Sequence, residues 1–424
     1  MEITSAFPKP PLHAYINTFA SRTCIGSIKC LLQQHTSTGQ NSARLSNPPS
    51  RIQLPLQRPN RHPPKKTEIT SPSSSDILRL MDSLGVPLTA DVYVSLIKEC
   101  TAAREASRAV ELYAHIARSG ASLSLGVVNR VLLMLVSCGC LDDARQVFDK
   151  MRVRNSRSWA AMIAGCVESG EFEQSLDLFV EMKREDSDGG EWDDIVANGM
   201  VICALKACVG TMNLELGKQI HGWSLKLGHG ENVALNSFLI KFYGEFGCFD
   251  DADNVFYQMP SRNTVVWTAK LVNSSNEGKY EEAIDLFKEM GRVGVKKNSF
   301  TFSSVLKASG KMRDGGGCGR QLHANGIKLG LDTDDHVLCS LIDMYGKYGL
   351  VRDGRTVFDM VSDKRNVALW NAMLNGCIKH GFSAEGIKII KEMKRAGLRP
   401  HESFVNEVLL LCGSSKRLAD EIGM

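Results

Sequence analysis

The chain has 424 residues, 43% of them hydrophobic and 23% charged, with a formal net charge of +4. Its longest unbroken apolar run is the six residues from Val131 to Val136, far short of the roughly 18 that a membrane-spanning helix requires, so no membrane partner is expected. Residues 1–67 carry nine Lys and Arg and one acid, leaving 42 of the 51 basic and 46 of the 47 acidic residues for 68–424; that remainder is mildly acidic, and bulk charge offers no support for nucleic-acid binding.

From Met1 to about Ser75 no helical period develops. Ser, Thr, Pro, Gln and Asn dominate, as in QQHTSTGQNSARLSNPPSR, and no acid stands between Glu2 and Glu68. A basic, hydroxylated, acid-poor leader matches an organellar transit peptide, here followed by the Pro-rich spacer PNRHPPKK; an ordinary disordered tail is the alternative. Ser and Thr outweigh any Arg-rich amphipathic pattern, which favours plastid (chloroplast) over mitochondrion. Residues 76–89, with DILRLMDSLG, read as a lead-in helix whose apolar side caps the first repeat.

From residue 90 to 413 the chain repeats itself. KYEEAIDLFKEM, Lys279 to Met290, places Ala283, Leu286, Phe287 and Met290 on one helical face and Glu281, Glu282, Asp285, Lys288 and Glu289 on the other. The same phrase stands at EFEQSLDLFVEM from Glu171 and, shortened, at SAEGIKIIKEM from Ser383. A second version reads CLDDARQVFDKM, CFDDADNVFYQM and VRDGRTVFDM; a third reads LELGKQIHGWSLKLG and GGCGRQLHANGIKLG. The versions alternate in fixed order. Phe148, Phe256 and Phe358 are spaced by 108 and 102, and Trp159, Trp267 and Trp370 by 108 and 103. About three units of some 35 residues therefore form one larger period, which predicts an all-α, right-handed α-solenoid superhelix of about nine and a half helix-turn-helix repeats. Units begin near 90, 125, 156, 198, 233, 264, 299, 335, 367 and 402, and residues 414–424 form a short tail. Gly120, Gly170, Gly228, Gly278, Gly330, Gly349, Gly381 and Gly397 stand where helices stop.

Two irregularities interrupt the pattern. REDSDGGEWDD, Arg184 to Asp194, reads as a solvated loop. Gly315 to Gly319 resembles a phosphate loop only superficially, since no strand precedes it and no Lys-Ser/Thr closes it; it reads as a weakened helix start. The 13 cysteines include no C-x-x-C pair, the closest approach being Cys138-Gly-Cys140, so they read as small buried residues in a reducing compartment. His229-Gly230-Glu231 is the sole H-x-E, without the downstream C-x-x-C that a zinc deaminase needs. No catalytic constellation, cofactor or metal is expected.

VVWTAKLVNSSNEGKYEEAIDLFKEM, FTFSSVLKASG with GRQLHANGIKLG, and LIDMYGKYGLVRDGRTVFDM together resemble the pentatricopeptide repeat family, specifically its plant class of alternating P, L and S repeats, without an evident C-terminal E or deaminase domain. The resemblance implies binding of single-stranded organellar RNA, one base per repeat read by two side chains, in editing-site specification, processing, splicing or stabilisation. A deaminase or other processing factor would then act in trans, and oligomeric state is left open. In the family the readers are the fifth and the last residue of a repeat. Carried onto this chain they are Asn129 with Asn155, Ser237 with Asn263, Thr268 with Asn298, Ser303 with Asp334, and Asn371, whose partner position holds His401. Val94, Ile202 and Cys339 cannot read a base edge, and Ala160 has no clear partner. Asn155, Asn263 and Asn366 also suit helix capping.

Four and eight residues beyond the fifth positions, on the same helix face, stand Lys98, Lys206, Lys241, Lys307, Lys311, Lys347 and Lys379 against Glu168, Glu245 and Asp343. That stripe is expected to follow a phosphate backbone. The rival reading is a helical-repeat scaffold whose groove holds a protein segment without RNA.

Overall fold

The computed structural model describes residues 88–119, 123–185, 194–361, 364 and 366–411. The leader, nearly all of the lead-in helix and the tail lie outside the described residues, which hold 19 α-helices and no strand. The chain divides into two compact units, Met1–His229 and Gly230–Met424. In the first are α1 (Ala90–Ala103), α2 (Ala106–Ser119), α3 (Leu125–Ser137), α4 (Leu141–Lys150), α5 (Ser156–Glu168), α6 (Phe172–Glu185), α7 (Asp194–Gly210) and α8 (Leu214–Lys226). The second holds α9 (Val233–Glu245), α10 (Phe249–Gln258), α11 (Thr264–Glu277), α12 (Tyr280–Arg292), α13 (Ser299–Ser309), α14 (Gly317–Lys328), α15 (Asp335–Lys347), α16 (Val351–Met360), α17 (Val367–Lys379), α18 (Ser383–Arg395) and α19 (Glu402–Leu411).

Odd-numbered helices are the first of each pair and even-numbered ones the second. Within each unit the first helices lie side by side in chain order, and each but α19, the last described helix, also packs on the second helix that comes after it. The two kinds differ in sequence for that reason. A second helix has one covered face: in α12, Ala283, Ile284, Phe287 and Met290 are at most 4% exposed, while Glu281, Asp285 and Lys288 face solvent. A first helix is enclosed on several sides, and in α7 every residue from Val196 to Val209 except Ile202 is buried.

The turns obey equally local rules. In every repeat whose fifteenth residue is described, but the one that begins at 299, that residue ends the first helix in the left-handed region, as at Gly139, Gly170, Gly247, Gly278, Gly349 and Gly381, with φ between 69° and 79° in five of them and 91° at Gly278. Arg104 and Met212 occupy the same place at φ 55° and 54°, which costs a residue with a Cβ about 1–2 kcal/mol.

The Phe and Trp period has a physical cause. Each Phe closes a second helix and meets, nearly edge to face, the Trp of the next first helix: Phe148 with Trp159 at 4.9 Å, Phe256 with Trp267 at 5.2 Å and Phe358 with Trp370 at 4.6 Å between centroids. A cation covers each Phe ring, Arg154 at 4.3 Å, Arg262 at 4.7 Å and Lys364 at 4.9 Å. Between α15 and α17 the backbones nearly touch, since a Cβ on Gly346 would lie 3.0 Å from Gly376 Cα.

One expectation is adjusted and one is met. α6 runs to Glu185 and α7 starts at Asp194, a turn ahead of the unit start at 198, so the ends of the expected loop are helical and its middle lies outside the described residues. The glycine run is a helix start, as read from sequence, and it is held by Asp314, whose carboxylate accepts from the N–H of Gly316 at 3.1 Å and of Cys318 at 2.6 Å.

Candidate functional site

The structure buries nearly all the fifth-position side chains, and Asn129 and Thr268 meet side chains of the next first helix, in the seams between successive first helices. Asn129 is 3% exposed, Ser237 7%, Thr268 4% and Ser303 6%, and Asn371 is half-buried. Burial results from how closely neighbouring first helices approach. Ala160 is also buried, while Val94, Ile202 and Cys339 are half-buried.

Last-position residues sit at the mouths of these seams and cap the next first helix. Asn155 Oδ1 accepts from Ser158 N at 3.1 Å, Asn263 Oδ1 from Val265 N at 3.0 Å and Val266 N at 3.1 Å, and Asn298 Oδ1 from Thr301 N at 2.8 Å. Asn366 does the same for Ala368 N at 3.0 Å. Capping engages the oxygen because only it can accept from N–H, and the Nδ2 amide is left as the donor. Asp334 differs: Oδ1 accepts from His336 N at 3.0 Å and Val337 N at 3.1 Å, and Oδ2 from Ser299 Oγ at 2.7 Å. Burial raises the Asp334 pKa, but those hydrogen bonds outweigh it and hold the carboxyl below its usual range.

Two of the expected pairs are brought together. Asn129 Nδ2 donates to Asn155 Oδ1 at 3.0 Å, and Ser158 Oγ lies 3.0 Å from the Oδ1 of both. Thr268 Oγ1 stands 2.7 Å from Thr301 Oγ1, which donates to Asn298 Oδ1 at 2.8 Å. The other three are not joined. Ser237 Oγ donates to Val233 O of its own helix at 2.6 Å, and Ser303 Oγ and Asn371 Oδ1 are buried without a hydrogen-bond partner. Sequence reading missed Ser158 and Thr301, although a hydroxyl three residues after an Asn is a capping-box signal.

The lysine stripe is only partly accessible. Lys98, Lys307, Lys311 and Lys379 are exposed. Lys206 is 8% exposed, because α7 is enclosed on nearly every side, and it is corrected out of a phosphate-contacting role. Lys347 is half-buried and paired with Asp343 at 2.6 Å. Burial pushes the Lys241 pKa down, with Glu245 offsetting part of the shift. Lys270, outside the stripe, is 1% exposed and held between Asp253 at 2.7 Å and Glu282 at 2.9 Å. It ties α11 to α10 and α12. Burial pushes the Cys208 and Cys377 thiols up to about 12, which keeps them protonated and unreactive. Among the described residues no three metal-ligating side chains cluster.

Known proteins share this organisation. The profile of the PPR repeat family matches residues 262–311, and that of the PPR repeat matches 127–156, 157–187, 237–264 and 368–398. A pentatricopeptide repeat-containing protein of Arabidopsis thaliana is 44% identical over 80% of this chain and 82% of its own length. Two others from Arabidopsis thaliana, one named mitochondrial and one chloroplastic, are each 32% identical over 78% and 75% of this chain. The chain spans 42% and 50% of their lengths. With its repeat units, its helix pairs and these relatives in agreement, the chain belongs to the pentatricopeptide repeat family.

Proposed function

We propose that the protein binds single-stranded RNA in an organelle, the plastid in preference to the mitochondrion, with side chains at the seams between first helices reading bases and exposed lysines beside them contacting phosphates. The observation that carries this reading is the convergence of the fifth and last residues of one unit, helped by the third residue of the next. Asn129 with Asn155, and Thr268 with Asn298 through Thr301, come together as short polar groups. Amides and hydroxyls of this size suit a base edge because they donate or accept along it. In this reading Asn129 with Asn155 selects a pyrimidine, Thr268 with Asn298 and Ser237 with Asn263 select adenine, and Ser303 and Asn371 offer buried oxygens that lack a partner. Phosphate contacts come from Lys98, Lys307, Lys311 and Lys379, with no catalytic step, and any editing or processing chemistry is supplied in trans.

A second reading, a scaffold for a protein segment, is favoured by one observation: the fifth residues are nearly all buried, and base contact requires their seams to open. Selection from a randomised RNA pool at moderate salt separates the two. The RNA reading expects enrichment of a short sequence, with affinity falling as salt rises; a pool that emerges unenriched leaves the scaffold.

A further inference from the structure

The third residue of a first helix decides whether the reading pair of the preceding unit is tied together. In α5 that residue is Ser158, in α13 it is Thr301, and both are 0% exposed. Ser158 Oγ bonds both members of the Asn129–Asn155 pair, and Thr301 Oγ1 bonds both Thr268 and Asn298. Where the third residue is apolar, no such tie forms. Val266 comes after the Ser237–Asn263 pair, and Ser237 turns back to Val233 O. Val337 comes after Ser303–Asp334, and Phe404 after Asn371–His401; Ser303 Oγ and Asn371 Oδ1 then have no partner.

We infer that Ser158 and Thr301 are positioning residues that set base selectivity at their seams by fixing which hydrogens and lone pairs the reading pair presents. At the Asn129 seam, Ser158 Oγ faces Oδ1 while Nδ2 donates to Asn155, so the amide cannot flip and exchange donor for acceptor. Asn155 Oδ1 is committed to Ser158 and Asn129, and its Nδ2 faces a ligand as a donor alone. At the Thr268 seam two hydroxyl hydrogens serve three contacts: Thr268 Oγ1 to Thr264 O at 2.6 Å, Thr301 Oγ1 to Asn298 Oδ1, and one hydroxyl to the other. One of those contacts therefore lacks a hydrogen at any moment, and an arriving base that brings a donor relieves it. Seams with Val266, Val337 or Phe404 do not tie the fifth side chain to the last residue and read more loosely.

The inference rests on the RNA reading of the seams. Its test takes the selected RNA and its single-base variants and compares the wild-type protein with Thr301→Val and Thr301→Ser. Thr301→Val should reduce discrimination at the base aligned with the Thr268 seam by about three- to tenfold, the size of one net hydrogen bond. Discrimination at other bases and the salt dependence should stay unchanged, and Thr301→Ser should restore the loss. Should Thr301→Val upset folding, Val337→Thr gives the converse test: it adds a hydroxyl beside Ser303 and should sharpen discrimination at that seam alone. Unchanged preference in Thr301→Val and Val337→Thr, with selection retained, overturns the positioning role by itself. A wild-type protein that selects no RNA overturns it together with the RNA reading.

Discussion

The first unit has one polar pair at its seams, Asn129 with Asn155, and of its two stripe lysines Lys98 is exposed while Lys206 is buried. In the second unit Ser237, Thr268, Ser303 and Asn371 stand at fifth positions, and Lys307, Lys311 and Lys379 are exposed beside them. Yet the packing rules are shared: the Phe–Trp contact with its covering cation occurs at Phe148 in one and at Phe256 and Phe358 in the other. Packing and the proposed recognition thus fall to different residues of the same repeat, and under the RNA reading the second unit would hold most of the base and phosphate contacts.

The largest expected effect tests the shared part. Trp159 is 4% exposed and Trp370 2%, so Trp159→Ala and Trp370→Ala should each lower stability by about 4 kcal/mol, through lost burial and lost ring contact. Denaturant unfolding of the full chain measures this. A loss confined to one of the two variants would mean that the contact does not do the same work in both units.

The next effect sharpens the difference between them. Replacing Lys307, Lys311 and Lys379 together by Glu should weaken RNA binding roughly a hundredfold at low salt and flatten the log–log salt slope by about two. Lys98→Glu alone should cost only about threefold. Equal losses would place the phosphate path evenly along both units. The smallest effect concerns the turns. Arg104 and Met212 are the described non-glycine residues at positive φ, and both lie in the first unit. Met212→Gly should raise stability by about 0.5–1 kcal/mol, because relief of the strained turn exceeds the added freedom of the unfolded chain. A drop in the midpoint would show that Met212 contributes more by contact than it costs in strain.

Second helices were legible in the sequence because each has one covered face. In KYEEAIDLFKEM the period found Ala283, Phe287 and Met290, missed buried Ile284, and gave Leu286 more weight than its half-buried state supports. First helices were located but not oriented. Apolar residues surround them, so no period marks which polar side chain meets solvent, a seam or a neighbouring helix. That is why Lys206 looked available, why the burial of Thr268 and Ser303 was not foreseen, and why Lys270, inside two carboxylates, passed unnoticed. The last residues were legible as caps, and an Asn that caps through Oδ1 retains Nδ2 for the proposed base contact. Asp334 has both oxygens occupied, which sets it apart from the Asn residues in the same place.

The most direct measurement compares the RNA sequences selected by the wild-type protein and by Thr268→Asn. Reading at the seams requires one base of the selected sequence to move from adenine to a pyrimidine while its neighbours keep their identity. A selected sequence that is the same for both proteins would contradict reading at that seam.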